Sequence, residues 1–178
     1  MKYFDELKRA MEWLAEKPDT LFVGQAVAVP GTGMSNTLTM IDKGKLLELP
    51  VAEEFQMGLS LGMALNGSIP ISIFPRWNFL LLATNQLVNH LDKAKILSLG
   101  EFTPKVIIRT AIGSERPLHP QIQHVGDFTS AYRLMLQTVE VVRVEEPEQI
   151  FDAYRLAYER PDHKSTILVE YADYYNEK

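Results

Sequence analysis

The stretch LPVAEEFQMGLSLGMALNGSIPISIF, residues 49–74, contains the two patterns that decide the fold. Two acids, Glu53 and Glu54, stand directly before a run that is almost wholly apolar, and a helix that is apolar on all sides is buried. The short apolar run over 69–74 is typical of a buried strand. The stretch therefore predicts a strand passing into a buried helix over 54–65, followed by a returning strand.

The same alternation of apolar runs and helical patterns continues along the chain. The predicted strands are 20–24, 46–49, 69–74, 106–109, 139–144 and 166–170, and helices are predicted at the N-terminus before Pro18 and over 54–65, 78–90, 127–136 and 147–159. Strands separated by helices need crossover connections. The predicted fold class is therefore α/β, with a mostly parallel sheet and helices on both faces.

Composition limits the kind of protein this can be. A chain of 178 residues with 46% hydrophobic and 23% charged content is the size of a single domain, predicted to cover 1–178. A net charge of -5, with Lys and Arg scattered, argues against nucleic acid as a partner. No apolar run is long enough to span a membrane, and a chain without cysteine has a cytoplasmic location as its default.

Two segments are predicted to be loops. The first, PGTGMSN over 30–36, is rich in turn formers and is expected to be exposed. The second runs from about 112 to 126, contains GSERPLHPQIQHVG and carries two of the four histidines, His119 and His124. Because ligands of open α/β sheets bind beyond the carboxyl ends of the strands, the second loop is a candidate ligand-binding segment. An isolated loop histidine is otherwise an ordinary surface residue.

The pair Glu53 and Glu54 has two interpretations on spacing alone. Both acids can simply favour the positive end of the helix dipole at the start of the helix. Alternatively, one of them performs acid-base chemistry in an environment from which water is excluded.

Several motifs of the chain resemble the beta subunit of the thiamine diphosphate-dependent decarboxylase component of 2-oxo acid dehydrogenases and, more distantly, transketolase. Pro50-Val51-Ala52-Glu53, followed by Gly58 and Gly62, matches the family's Pro-hydrophobic-small-Glu sequence and its glycine-containing helix. The resemblance implies that Glu53, and not Glu54, activates the cofactor. It also implies that Val51 shapes the wall of the pyrimidine pocket.

The resemblance continues into the next strand and helix and into the long loop. It implies that Phe79 stacks on the cofactor's aminopyrimidine ring, with Trp77 as the nearby alternative, whereas an isolated Phe at a helix start is often an ordinary core residue. Gln123-His124 is similar to the Gln-His pair that the family presents to substrate, with His119 as the alternative.

The chain also departs from the family. The usual Gly-Asp-Gly tract with a downstream Asn is missing, since Gly126-Asp127 is followed by Phe128. The sequence ends at ILVEYADYYNEK, where the family continues into a second domain, so that domain is expected to be absent from this chain. Gly24-Gln25 stands where a Gly-Glu is common, and Pro75-Arg76 and Asn85 also differ from the usual residues, although Gln86 and Asn89 agree. The resemblance therefore implies a single pyrimidine-binding domain without metal ligands. The diphosphate and Mg²⁺ would be held by a separate partner chain in a dimer or heterotetramer.

The expected function is that of the pyrimidine-binding subunit of a split thiamine diphosphate-dependent enzyme. The substrate would be a small keto compound, a 2-oxo acid or a ketose, whose carbon–carbon bond is cleaved or transferred. A non-catalytic regulatory or assembly subunit is one alternative. Another alternative is a flavodoxin-like nucleotide-binding module in which the loop over 30–36 binds a phosphate. That loop, however, lacks Gly-x-Gly-x-x-Gly and a Lys-Ser/Thr ending.

Overall fold

A single parallel sheet forms the centre of the protein in this computed structural model, which describes residues 2–117 and 119–177. Its strands are β1 (Thr20–Gly24), β2 (Leu46–Glu48), β3 (Ile69–Ile73), β4 (Ile107–Ile112), β5 (Glu140–Arg143) and β6 (Thr166–Tyr171). The strand order is β2-β1-β3-β4-β6-β5, and every neighbouring pair is parallel. The predicted α/β class with a mostly parallel sheet is confirmed.

Helices cover the sheet and connect its strands. The α-helices are α1 (Tyr3–Ala15), α2 (Gly33–Asn36), α3 (Glu53–Leu65), α4 (Trp77–Leu80), α5 (Ala94–Leu97), α6 (Thr129–Met135), α7 (Pro147–Glu159) and α8 (Tyr174–Glu177). Short 3₁₀ turns lie at Lys43–Lys45, Leu81–Ala83 and Ile122–His124, and a π-helix covers Gln86–Leu91. Within the described residues, no helix is long and apolar enough to cross a membrane.

Two separate apolar cores show that the helices lie on both faces of the sheet. Ile107 and Ala111 of β4 belong to the core that also contains residues of α1 and α7. Ile108, between them, belongs to the core on the opposite face, together with residues of α3, α4 and α6. Successive strand residues point to opposite faces, so the apolar runs of the buried strands supply both cores.

Two local predictions are corrected by the structure. Segment 30–36 is not wholly an exposed loop, because Thr32 and Ser35 form a capping box that starts α2, and Met34 is buried. The predicted helix over 78–90 is not a regular α-helix, since it passes from α4 through a 3₁₀ turn into the π-helix. Of the predicted loop over 112–126, Leu118 lies outside the described residues.

A fully buried ion pair joins the neighbouring strands β4 and β6. Arg109 donates to both carboxylate oxygens of Glu170, from Nε at 2.6 Å and from Nη2 at 3.0 Å, and its Nη1 donates to Thr37 Oγ1 at 2.8 Å. The hydroxyls of Tyr154 and Tyr175 also donate to Glu170. Burial by itself lowers the pKa of Arg109, but the adjacent Glu170 carboxylate raises it above the ordinary value. The pair therefore stays charged and connects α2, α7 and α8 to the sheet.

Replacement of Glu170 by Gln should lower the free energy of unfolding by about 3–5 kcal/mol, because the Arg109 guanidinium would remain buried without its counter-charge. Urea denaturation of the purified chain measures this change. The matched control is Asp152→Asn, which removes an exposed ion pair with Arg155 and should cost less than about 1 kcal/mol. Equal, small effects of the two substitutions would contradict the importance given to the buried pair.

Candidate functional site

A cavity of about 450 Å³ opens at the carboxyl edge of the sheet. Its walls come from the segments that follow β1, β3, β4 and β6, and from α2. The residues that line it are Gln25, Ala26, Thr32, Gly33, Met34, Pro75, Arg76, Phe79, Gly113, Ser114, Arg116, Pro117, Ala172, Tyr175 and Asn176. This is the edge at which ligands of parallel α/β sheets bind, because the loops there converge.

An aromatic pair stands at this cavity. Phe79 lines the wall, and the ring of His124 lies against it with the centroids 5.4 Å apart and the planes at 42°. The position of His124 is fixed through its main chain, because Arg76 Nη1 donates to its carbonyl oxygen at 3.1 Å. Its Nδ1 is buried and has no hydrogen-bond partner among the described residues. Two of the residues predicted for the site are thus in contact.

The alternatives to these two residues lie elsewhere. His119 is exposed, its Nε2 is 3.1 Å from the Glu115 carboxylate, and its Nδ1 accepts the N–H of Gln121 at 3.0 Å. Trp77 is fully buried and packs on the ring of Tyr132, with the centroids 4.9 Å apart. Neither residue is among those that line the cavity. Phe79 is favoured because it lines the cavity, and His124, which does not itself line it, is favoured because its ring lies against Phe79. Their chemical roles remain predictions.

Glu53 begins α3, and only 6% of its surface is exposed. Its Oε1 is buried and has no hydrogen-bond partner within the described part of the chain. One turn later, Gln56 Nε2 donates to Ser72 Oγ at 3.1 Å and to Ile73 O at 2.9 Å, which fixes α3 on β3. A buried acceptor without a donor is destabilising, so this oxygen is suited to a donor from a ligand or partner. Glu54, the other candidate acid, is exposed.

The prediction that the helix over 54–65 is buried is only partly right, because the outer surface of α3 carries exposed apolar residues. Val51, just before the helix, is 70% exposed, and Phe55 and Leu65 are 57% and 50% exposed. Gly58 and Gly62 lie between them, and a Cβ added at either position would meet no atom within 4 Å. These five residues are here called the α3 face. Val51 and Glu53 are not among the residues that line the cavity, so the predicted cofactor contacts are not enclosed within one pocket of this chain.

Glu48 is a positioning residue that the sequence patterns did not single out. Its carboxylate accepts the main-chain N–H groups of Ala26 at 2.6 Å, Val27 at 2.8 Å and Ala28 at 2.7 Å. These contacts fix the segment that leaves β1, and Ala26 is part of the cavity wall. An acid at the end of a predicted strand was the available signal, and it is too common to indicate this role.

Within residues 2–117 and 119–177, no group of three or more His, Cys, Asp or Glu side chains is arranged to hold a metal ion. The fold and the cavity at its carboxyl edge define a parallel α/β ligand-binding domain. More particularly, the chain belongs to the family described as transketolase, pyrimidine binding domain, whose model matches residues 2–176.

Curated relatives include beta subunits of the pyruvate dehydrogenase E1 component. The subunit from Porphyra purpurea is 34% identical over 119 residues, which are 65% of this chain and 36% of the relative. The subunit from Staurastrum punctulatum is 26% identical over 193 aligned positions, covering 97% of this chain and 59% of the relative. The chain therefore spans between 36% and 59% of the length of these two relatives.

Solved structures show the same fold. A split-gene transketolase described as an inactive beta4 tetramer superposes with a TM-score of 0.69 at 15% identity, over 94% of this chain and 50% of that chain. The transketolase from Campylobacter jejuni gives a TM-score of 0.70 at 18% identity, over 94% of this chain and 25% of that chain.

Gly24, at the end of β1 next to the cavity, should not tolerate replacement by a residue with a side chain. A Cβ there would lie 2.5 Å from Ile73 O and 3.3 Å from Gln56 Nε2, so Gly24→Ala should lower the free energy of unfolding by about 1–3 kcal/mol. Gly58→Ala is the matched control, because its Cβ meets no atom within 4 Å and alanine favours the helix by up to about 1 kcal/mol. Thermal or urea unfolding measures both variants. A neutral Gly24→Ala variant would contradict this packing.

Proposed function

We propose that this chain is the pyrimidine-binding subunit of a split thiamine diphosphate-dependent enzyme. The observation that carries the proposal is the buried Oε1 of Glu53, which has no hydrogen-bond partner among the described residues. Membership of the pyrimidine-binding family and the similarity to beta subunits of a 2-oxo acid dehydrogenase support it. The substrate would be a 2-oxo acid or a ketose.

The residues at the site fit the pyrimidine part of the cofactor. A buried carboxyl oxygen suits a ring nitrogen, since the two can share one proton in a hydrogen bond. Phe79 offers an aromatic face at the cavity, and Val51 is an exposed apolar group two residues before Glu53. When bound, thiamine diphosphate supplies an electron sink for the bond next to a substrate carbonyl.

Two side chains of this chain would move protons. Glu53 would exchange its proton with the pyrimidine ring, and its burial keeps competing water away from that hydrogen bond. His124 would face the substrate, where its unpartnered Nδ1 can accept or donate a proton. The contact with Phe79 and the bond from Arg76 hold the imidazole in place for this step.

A second chain would complete the site. We propose that it holds the diphosphate and Mg²⁺, and that it packs on the α3 face in a dimer or heterotetramer. Exposed Leu81 and Leu82, in the 3₁₀ turn after α4, add to the apolar surface available for this contact. The two glycines of the α3 face would let another backbone approach closely. Apolar surface of this kind commonly marks a site of association.

Glu53→Gln should reduce turnover of the assembled enzyme by about 10²–10⁴-fold, because an amide keeps the shape of the side chain but cannot relay a proton. Cofactor affinity should change much less, since the diphosphate contacts lie on the second chain. Hydrogen–deuterium exchange at the thiazolium carbon of bound cofactor separates activation from substrate chemistry.

Glu54→Gln is the matched control for this experiment, because Glu54 is exposed and one residue away. Exchange should remain fast in this variant and become slow in the Glu53 variant. Slow exchange in the Glu54 variant alone would show that Glu54, and not Glu53, activates the cofactor. Unchanged exchange in both variants would instead favour an assembly subunit without a catalytic role.

A further inference from the structure

Arg76 occupies an unusual electrostatic position at the cavity wall. Its Nη1 donates to two main-chain carbonyls, that of His124 at 3.1 Å and that of Ser114 at 3.4 Å. Neither partner carries a charge. Within the described part of the chain, Nε and Nη2 donate to no group, and no carboxylate lies within ion-pair distance of the guanidinium.

Two other arginines with little solvent exposure, unlike Arg76, form ion pairs with carboxylates. Fully buried Arg109 is paired with Glu170, and Arg160, whose side chain is 11% exposed, is paired with Glu140 and Asp162. Arg76 is only half-buried, but a partly desolvated cation without such a partner is still unfavourable. Arg76 is therefore suited to an anion that arrives with a ligand.

Asp173 is the acid whose charge acts on Arg76, and its carboxylate already accepts other hydrogen bonds. Burial lowers the pKa of Arg76, and the charge of Asp173 opposes this by raising it. The Asp173 carboxylate, however, accepts the main-chain N–H groups of Glu115 at 3.0 Å and Arg116 at 3.0 Å. It therefore keeps Arg76 protonated through space and does not occupy its donors.

The lining of the cavity fits the same ligand chemistry. The described residues that line it include two arginines, Arg76 and Arg116, and no acid. Neutral polar side chains come from Gln25, Thr32 and Asn176. An oxyanion in this cavity would meet the Arg76 guanidinium and several neutral hydrogen-bonding groups. A guanidinium can bind carboxylate or phosphate through two parallel hydrogen bonds.

We propose that Arg76 determines substrate specificity by binding an oxyanionic group of the substrate, a carboxylate or a phosphate monoester, through Nε and Nη2. The proposal rests on the function proposed above, because the bond from Nη1 to His124 would bring that group next to the Phe79–His124 pair.

The test uses the full chain without cofactor or partner, labelled with ¹⁵N, and follows the arginine Nε–H signals by NMR at constant ionic strength. The probes are inorganic phosphate and acetate. The Arg76 signal is the one that disappears in Arg76→Gln. In the unmodified chain, this signal should shift with increasing concentration of at least one probe until it saturates. Tighter saturation with phosphate indicates a phosphorylated substrate, and tighter saturation with acetate indicates a carboxylate.

In the variants, which lack the Arg76 signal, binding is followed through the main-chain amide signals of the cavity residues Gly113 and Ser114. Arg76→Gln should weaken binding of the favoured probe by about tenfold to a hundredfold, as expected for loss of a charged hydrogen-bond partner. Arg76→Lys keeps the charge but loses the paired geometry, so it should also bind more weakly while the fold is maintained. Arg133→Met is the control, because Arg133 is exposed and, among the described residues, donates only to the carbonyl oxygen of Val141. No saturable shift of the Arg76 signal, or equal binding by the Arg76 variants, would overturn the proposal without affecting the assignment of Glu53.

Discussion

The bidentate ion pair between Arg109 and Glu170 is the constraint on which the walls of the cavity depend. Two charges can stay buried only when their remaining donors and acceptors are satisfied. Those partners come from Thr37 after α2 and from tyrosines of α7 and α8. One of them, Tyr175, also lines the cavity, and its ring leaves no room for a Cβ at Gly33. The pair therefore sets the positions of two cavity walls through the requirement for complete hydrogen bonding.

The residues of the proposed site show the opposite pattern. Arg109 and Glu170 have a full set of hydrogen-bond partners, whereas Glu53 Oε1 and His124 Nδ1 have no hydrogen-bond partner among the described residues. Within the same part of the chain, Arg76 has no carboxylate within ion-pair distance. Unsatisfied buried polar groups are rare in folded proteins and are concentrated where function requires them. Glu53, His124 and Arg76 all lie in segments at the carboxyl edge of the sheet, beside an apolar α3 face, and this arrangement supports the proposed half-site completed by a ligand and a second chain.

Most of the fold could be predicted because it depends on local patterns. The apolar run of β3 and the largely apolar sequence of α3 identify a buried parallel sheet. Helix α2 could not be predicted, since the burial of Met34 is decided by the tertiary structure around a turn-rich segment. Motif similarity indicated Phe79 and His124, and the structure brings their rings together. The role proposed for Arg76 could not be foreseen, because it depends on which carboxylates lie near the guanidinium in space.

A calorimetric titration of thiamine diphosphate with Mg²⁺ tests the half-site directly. It compares the purified chain alone with the same chain mixed with a second chain that carries a Gly-Asp-Gly tract and a downstream Asn. The chain alone should bind weakly, because much of the attachment comes from the diphosphate and its metal. The mixture should bind tightly, with one cofactor for each pair of chains. Tight, stoichiometric binding by the isolated chain would contradict a site divided between two chains.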